Sequence, residues 1–97
     1  MDAVYFFGDE SFVWNENKAK SNTRKHGVSF EEACEVFFDP FRQVGEASSE
    51  NEYREFVLGF SLKRRLLFVV YVERGMFTRI ISARKATNQE KELYEEG

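Results

Sequence analysis

Short alternating and apolar runs separated by polar turns dominate this chain, and they specify most of its elements. Ser11-Phe12-Val13-Trp14 reads as a short extended segment. Asn15 follows as a good N-cap, opening a helix from Glu16 to about His26 that Gly27 ends in the left-handed position helices favour at their C-termini. Ser29 and Glu32 have the S-x-x-E spacing of a capping box, and Val28 can staple onto Ala33. Phe30, Ala33, Cys34 and Phe37 then fall at i, i+3, i+4 and i+7, one apolar stripe of a second helix that Asp39-Pro40 stops. Beyond Pro40 the period changes to two. Strands are expected over Phe41 to Gly45, Tyr53 to Phe60, Leu66 to Val72 and Phe77 to Ala83, the last two joined at Arg74-Gly75 as a hairpin. Leu66 to Val72 is nearly continuous in its apolar character, as a central strand covered on both faces should be. Thr87 and Glu90 form another capping box, opening a last helix with Leu93 and Tyr94. The expected fold is α+β: an antiparallel sheet of about four strands with two N-terminal helices and one C-terminal helix. Residues 1–11, with Val4-Tyr5-Phe6-Phe7, are an extension compatible with an added edge strand, a disordered leader or part of a partner-binding surface.

Ninety-seven residues suffice for one core and not two, so a single domain spanning 1–97 is expected. Hydrophobic residues make up 42% of the chain and charged ones 32%, a globular balance, and eleven phenylalanines point to an aromatic core. The only cysteine, Cys34, excludes an internal disulfide and reads as core; a reducing cytoplasm fits it. No apolar run approaches the roughly 20 residues of a membrane span, and the N-terminus lacks the basic and apolar regions of a signal peptide. A formal charge of −3 argues against coating nucleic acid through the overall field. Distribution changes that picture: Lys18, Lys20, Arg24, Lys25 and His26 crowd one segment, while Glu90, Glu92, Glu95 and Glu96 gather at the C-terminus.

Candidate chemistry lies in two places. The first helix carries only Ala19 as an apolar side chain, so something polar must hold or use it. Asn15, Ala19, Asn22 and His26 share one of its faces and are able to aim an amide and an imidazole at one point. On spacing alone, a solvated helix whose His26 caps its own C-terminus is the simpler reading. The strand from Phe77 is the second place. Strict alternation puts Arg79 on one of its faces and Ser82 and Arg84 on the other. These arginines either clamp phosphate through their guanidinium forks or lay their stems along the sheet with the charge in water. Arg54 and Glu73 are similar cases, with ion pairing as the plain alternative. No phosphate loop, H-E-x-x-H or C-x-x-C is present, and Glu31-Glu32 and Glu95-Glu96 read as solvated carboxylates rather than metal ligands, so any enzyme hypothesis is simplest without a metal or other cofactor.

Taken in order, Trp14-Asn15-Glu16-Asn17-Lys18, Asn22, Lys25-His26-Gly27-Val28-Ser29-Phe30-Glu31-Glu32-Ala33, Val36-Phe37 and Asp39-Pro40 resemble the N-terminal signature of the BrnT toxin family. Arg54, Gly59, Val69-Val70-Tyr71, Glu73-Arg74, Arg79 through Ala86, Glu90 and Tyr94 resemble its C-terminal block. Asn15 departs from the acidic cap expected there, a mild change because Asn caps as well as Asp. The resemblance implies a RelE-like fold and a bacterial toxin that cleaves RNA without a metal, inhibits growth and is neutralised by a BrnA-type antitoxin that also binds operator DNA. It further implies that a ribose 2′-OH attacks the adjacent phosphate while His26 or Glu73 moves protons and Arg54, Arg79 and Arg84 stabilise the phosphorane. Lys25, Lys85 and Tyr94 would then contact RNA. A non-catalytic RNA- or protein-binding module is the rival reading, and assembly as a homodimer or a heterotetramer with the antitoxin stays open.

Overall fold

The computed structural model describes residues 1–97. Strands β1 (Asp2–Phe7) and β2 (Glu10–Asn15) precede helix α1 (Glu16–His26); α2 (Phe30–Glu35) runs into a 3-10 turn, Val36–Phe38; then come β3 (Gln43–Glu46), β4 (Glu55–Phe60), β5 (Leu66–Arg74), β6 (Phe77–Lys85) and α3 (Asn88–Glu96). The strands form one sheet in the order β1-β2-β6-β5-β4-β3.

This corrects the expectation of about four antiparallel strands. There are six, and the sheet is mixed, because β2 joins β6 in parallel through Phe12 opposite Thr78 and Val13 opposite Arg79. Of the two strands beyond those four, β2 is the extended segment expected at Ser11–Trp14, and β1 forms because residues 2–7 have an apolar set to bury. Ala3, Tyr5 and Phe7 point inward while Val4 and Phe6 stay exposed, and Tyr5 meets Trp14 with ring centroids 5.6 Å apart. Gly8, at φ 62°, supplies the left-handed residue of the tight β1–β2 turn.

One face of the sheet carries the main core. Phe12, Trp14, Val69, Tyr71 and Ile80 from the strands pack against Val28, Phe30, Ala33 and Cys34 from the α2 region. Burial pushes the Cys34 thiol well above its ordinary pKa, the behaviour of an inert core cysteine. The opposite face is covered at its β4 end by α3: Leu58 is fully buried outside the main core, and the Tyr94 ring meets Phe60 at 5.2 Å. No helix is long and apolar enough to cross a membrane.

Two local features differ from the sequence reading. Glu32 is not a solvated carboxylate but is 4% exposed, because Arg65 from the β4–β5 turn closes on both its oxygens while Ser61 Oγ donates at 2.7 Å. Arg65 also donates to the Gly27 carbonyl at 3.0 Å, tying this turn to the end of α1. The Ser29 capping box is therefore only half made: Ser29 accepts from the Glu32 N–H, but the Glu32 side chain is committed to Arg65. The second feature is a bulge. Val70 faces Ser82 but Tyr71 faces Ile80, leaving Ile81 as an extra residue on β6.

Candidate functional site

The bulge decides which side chains meet. Ile80 and Ala83 both enter the core, so Ile81 and Ser82 both turn to the opposite face and the alternation resets between Arg79 and Arg84. Arg79, Ser82 and Arg84 consequently lie on one face, correcting the strict alternation that separated Arg79 from the other two. Pairing across the sheet places Val13 and Val72 beside Arg79, and the β4–β5 register carries that row on to Arg54, just before β4. Arg54 and Arg79 thus flank Val72 two strand spacings apart, roughly 10 Å between backbones. Farther along the face the Arg84 guanidinium sits 4.4 Å above the Phe68 ring, which stacks on Phe56 at 4.8 Å.

Helix α1 brings the imidazole to the same face. Asn15 caps it by accepting from the Lys18 N–H at 3.0 Å, and Gly27 (φ 70°) closes it. What holds this polar helix is Asn22. Its amide donates to the Ala83 carbonyl at 2.8 Å and the Val28 carbonyl at 3.0 Å, and accepts from the Ala83 N–H at 3.1 Å. Strand β2 pairs with β6 only as far as Val13–Arg79, so Asn22 satisfies β6 backbone groups that β2 leaves open. The amide is therefore structural rather than free to join His26. Lys25 and His26 stand at the end of α1 over a cleft of about 360 Å³ floored by Ile81 and Ser82.

Arg54, Arg79 and Arg84 each already have an anionic partner. Arg79 meets Asp2 at 2.6 Å, Arg84 meets both Glu90 oxygens at 2.8 Å, and Arg54 meets Glu52 at 2.9 Å. The hydrogen bond to Arg84 holds the Glu90 carboxyl below its ordinary pKa, as the bond to Arg79 does for Asp2. The Arg54 Nε is buried without a partner, a donor left over on the site side of the sheet. Lys18, Lys25 and His26 take part in none of the four ion pairs.

The remaining candidates lie elsewhere. Glu73 follows Val72 and so points to the core side, where it accepts from Thr78 Oγ1 at 2.7 Å and lines a separate groove with Phe37, Arg42 and Tyr71. Lys85 ends β6 on the same side as Ala83, paired across from Leu67. Tyr94 donates to Asp39 at 2.6 Å; burial and that bond push its phenol up to about 12, and the pair latches α3 to the turn after α2. Burial raises the Asp39 carboxyl, but bonds from the Phe60 N–H, the Tyr94 hydroxyl and the Phe41 N–H outweigh it and hold the group low. No three His, Cys, Asp or Glu side chains converge as a metal-holding group. Lys18 was legible as a neighbour of Lys25 at i, i+7 on one helical face, whereas the role of Asp2 beside Arg79 depends on a strand pairing that no local pattern announces.

The family model of the ribonuclease toxin BrnT of type II toxin–antitoxin systems matches residues 14–90, so β1 and most of β2 lie outside it. No curated protein matches the chain in sequence. The fold is similar to the crystal structure of the Brucella abortus ribonuclease toxin BrnT, with a TM-score of 0.60 at 20% identity, over 79% of this chain and 96% of that one. With four-fifths of its length matched in order, the chain belongs to the BrnT family of ribonuclease toxins of type II toxin–antitoxin systems.

Proposed function

We propose that this protein is an endoribonuclease toxin that cleaves RNA without a metal ion, on the sheet face bearing Arg54, Arg79 and Arg84 beside the His26 end of α1. The observation that carries this reading is that the β6 bulge puts Arg79 and Arg84 on one sheet face with Arg54, while the Asn22 anchor sets the His26 end of α1 beside Ile81 and Ser82 of that face. The ribose 2′-OH gives its proton to a base and its oxygen attacks the adjacent phosphorus. The O5′ bond breaks, O5′ takes up a proton, and the products are a 2′,3′-cyclic phosphate and a 5′-hydroxyl. His26 serves as the proton-transfer group of this scheme because its imidazole lines the cleft, while Glu73 is engaged with Thr78 on the other face. The guanidinium groups stabilise the charge that gathers on the pentacoordinate phosphorus. A BrnA-type antitoxin would neutralise the toxin by covering this face through local charge complementarity, since the toxin is acidic overall.

The test is product analysis. RNA incubated with the purified chain in EDTA should yield fragments ending in 2′,3′-cyclic phosphate and beginning with 5′-hydroxyl. Cleavage only when a divalent ion is restored, or 5′-phosphate ends, would contradict the scheme. One observation favours a binding module instead: all three arginines are already neutralised by carboxylates. Under that reading RNA is bound and never cut.

A further inference from the structure

Arg54, Arg79 and Arg84 are paired with carboxylates, whereas Lys18 and Lys25 of α1 take part in none of the four ion pairs, and the arrangement of these lysines carries a further step. Lys18, Ser21 and Lys25 fall at i, i+3 and i+7 and line one side of the cleft between α1 and β6, with His26 at its end and Ile81 and Ser82 as its floor. No carboxylate lines this cleft, although the chain has 17 acidic residues; Glu16 of the same helix lines the groove on the other side of α1. Lys18 and Lys25 are roughly 10 Å apart along the helix axis, by the rise per residue. Two irregular features build the cleft: the bulge that re-aims Ile81 and Ser82, and the Asn22 amide that fixes α1 on the β6 backbone without an apolar face.

We propose that the α1–β6 cleft is a subsite for the sugar-phosphate backbone of single-stranded RNA, in which Lys18 and Lys25 hold successive phosphates and Ser21 and Ser82 donate to the same strand. This rests on the ribonuclease reading of the adjoining face and extends it to residues outside the proposed reaction. The chemistry is that of an extended anion met by spaced ammonium groups and hydroxyls. A cleft of about 360 Å³ has room for a sugar-phosphate backbone unit.

The experiment uses a fluorescent single-stranded oligoribonucleotide whose 2′-hydroxyls are methylated, so that binding is measured without cleavage. Affinity is followed from low to moderate salt for the wild type, for the K18Q/K25Q double variant, and for K20Q/R24Q. The last removes the same charge from the other side of α1, where Lys20 and Arg24 line the groove with Trp14 and Phe30. The K18Q/K25Q variant should bind at least tenfold more weakly at low salt, and its log–log salt slope should be shallower by about 1.4, the counterion release of two phosphates on a single strand. K20Q/R24Q should keep the wild-type slope. Amide shifts on binding should cluster at residues 17–26 and 81–82, which checks the site without any substitution. Equal losses in both double variants would overturn the subsite, leaving a diffuse charge effect. Tight binding by the wild type that K18Q/K25Q retains would overturn the subsite while the ribonuclease reading stands. Failure of the wild type to bind the probe at all would overturn the subsite, and failure to cut natural RNA as well would remove the reading beneath it.

Discussion

Replacing Asn22 by Ala should loosen α1 more than any other single change on that helix. The side chain makes three hydrogen bonds, two to carbonyls and one from an N–H, all to backbone groups of Val28 and Ala83. The Val28 carbonyl keeps a second, longer donor in Thr23 Oγ1 at 3.3 Å, so the groups left without any partner are the Ala83 N–H and C=O. An unsatisfied buried polar group costs about 1–3 kcal/mol, so two cost about 2–6 kcal/mol, a large share of the 5–15 kcal/mol typical of a domain. Ala19 is the only apolar side chain of α1, so little else compensates. Denaturant unfolding followed by circular dichroism measures the loss, and native-state amide exchange locates it, with α1 losing protection first. Asn22→Asp should be no better, because its carboxylate would face two carbonyl oxygens. A loss below about 1 kcal/mol with α1 protection unchanged would refute the claim that this amide anchors the helix.

Three further outcomes are expected. His26→Ala should slow RNA cleavage by about 10²–10⁴-fold, the span of general acid–base catalysis, with little change in unfolding midpoint; an unchanged rate would remove His26 from proton transfer. Glu32→Gln should cost about 2–3 kcal/mol, below the range for a fully buried pair because Arg65 keeps part of its guanidinium in water. Bonding to Arg65 holds Glu32 below its ordinary value of 4.5, as bonding to Arg84 does for Glu90, so their contribution is complete above pH 4.5 and is lost as pH falls through the folded values. Urea midpoints that do not fall in this acid range, or that fall as steeply in Glu32→Gln, would contradict the assignment. Asp2→Asn should free the Arg79 guanidinium and raise RNA affinity at low salt by at most severalfold, an effect that 0.5 M salt should erase; weaker binding would show that Asp2 positions Arg79 rather than competing with phosphate.

The helices were the most legible part of the chain, because their ends are written in local chemistry. Asn15, Gly27, Ser29 and the Thr87–Glu90 box each act within four residues, and α1 runs from Glu16 to His26 as its caps require. The β5–β6 hairpin was equally clear. The added strand was not, because Val4-Tyr5-Phe6-Phe7 is apolar on both faces and alternation alone does not tell an edge strand from a leader. The parallel union of β2 with β6 joins residues 66 positions apart and leaves no trace in local periodicity. The site was half visible for the same reason. His26 and the arginines stood out by residue type, but one extra residue at Ile81 decided that Arg79 and Arg84 share a face, and a single bulge is silent in an alternating pattern. Glu32 misled because its partner, Arg65, lies 33 residues away.

The most direct test of the central claim is cleavage of a labelled RNA in EDTA by the purified chain, run beside Arg79→Ala and His26→Ala variants of verified fold. The account predicts cleavage by the wild type, a loss of several orders of magnitude in His26→Ala and a marked loss in Arg79→Ala. Undiminished cleavage by both variants would contradict the site, and absence of cleavage by the wild type, with ribosomes added as well as without, would contradict the activity.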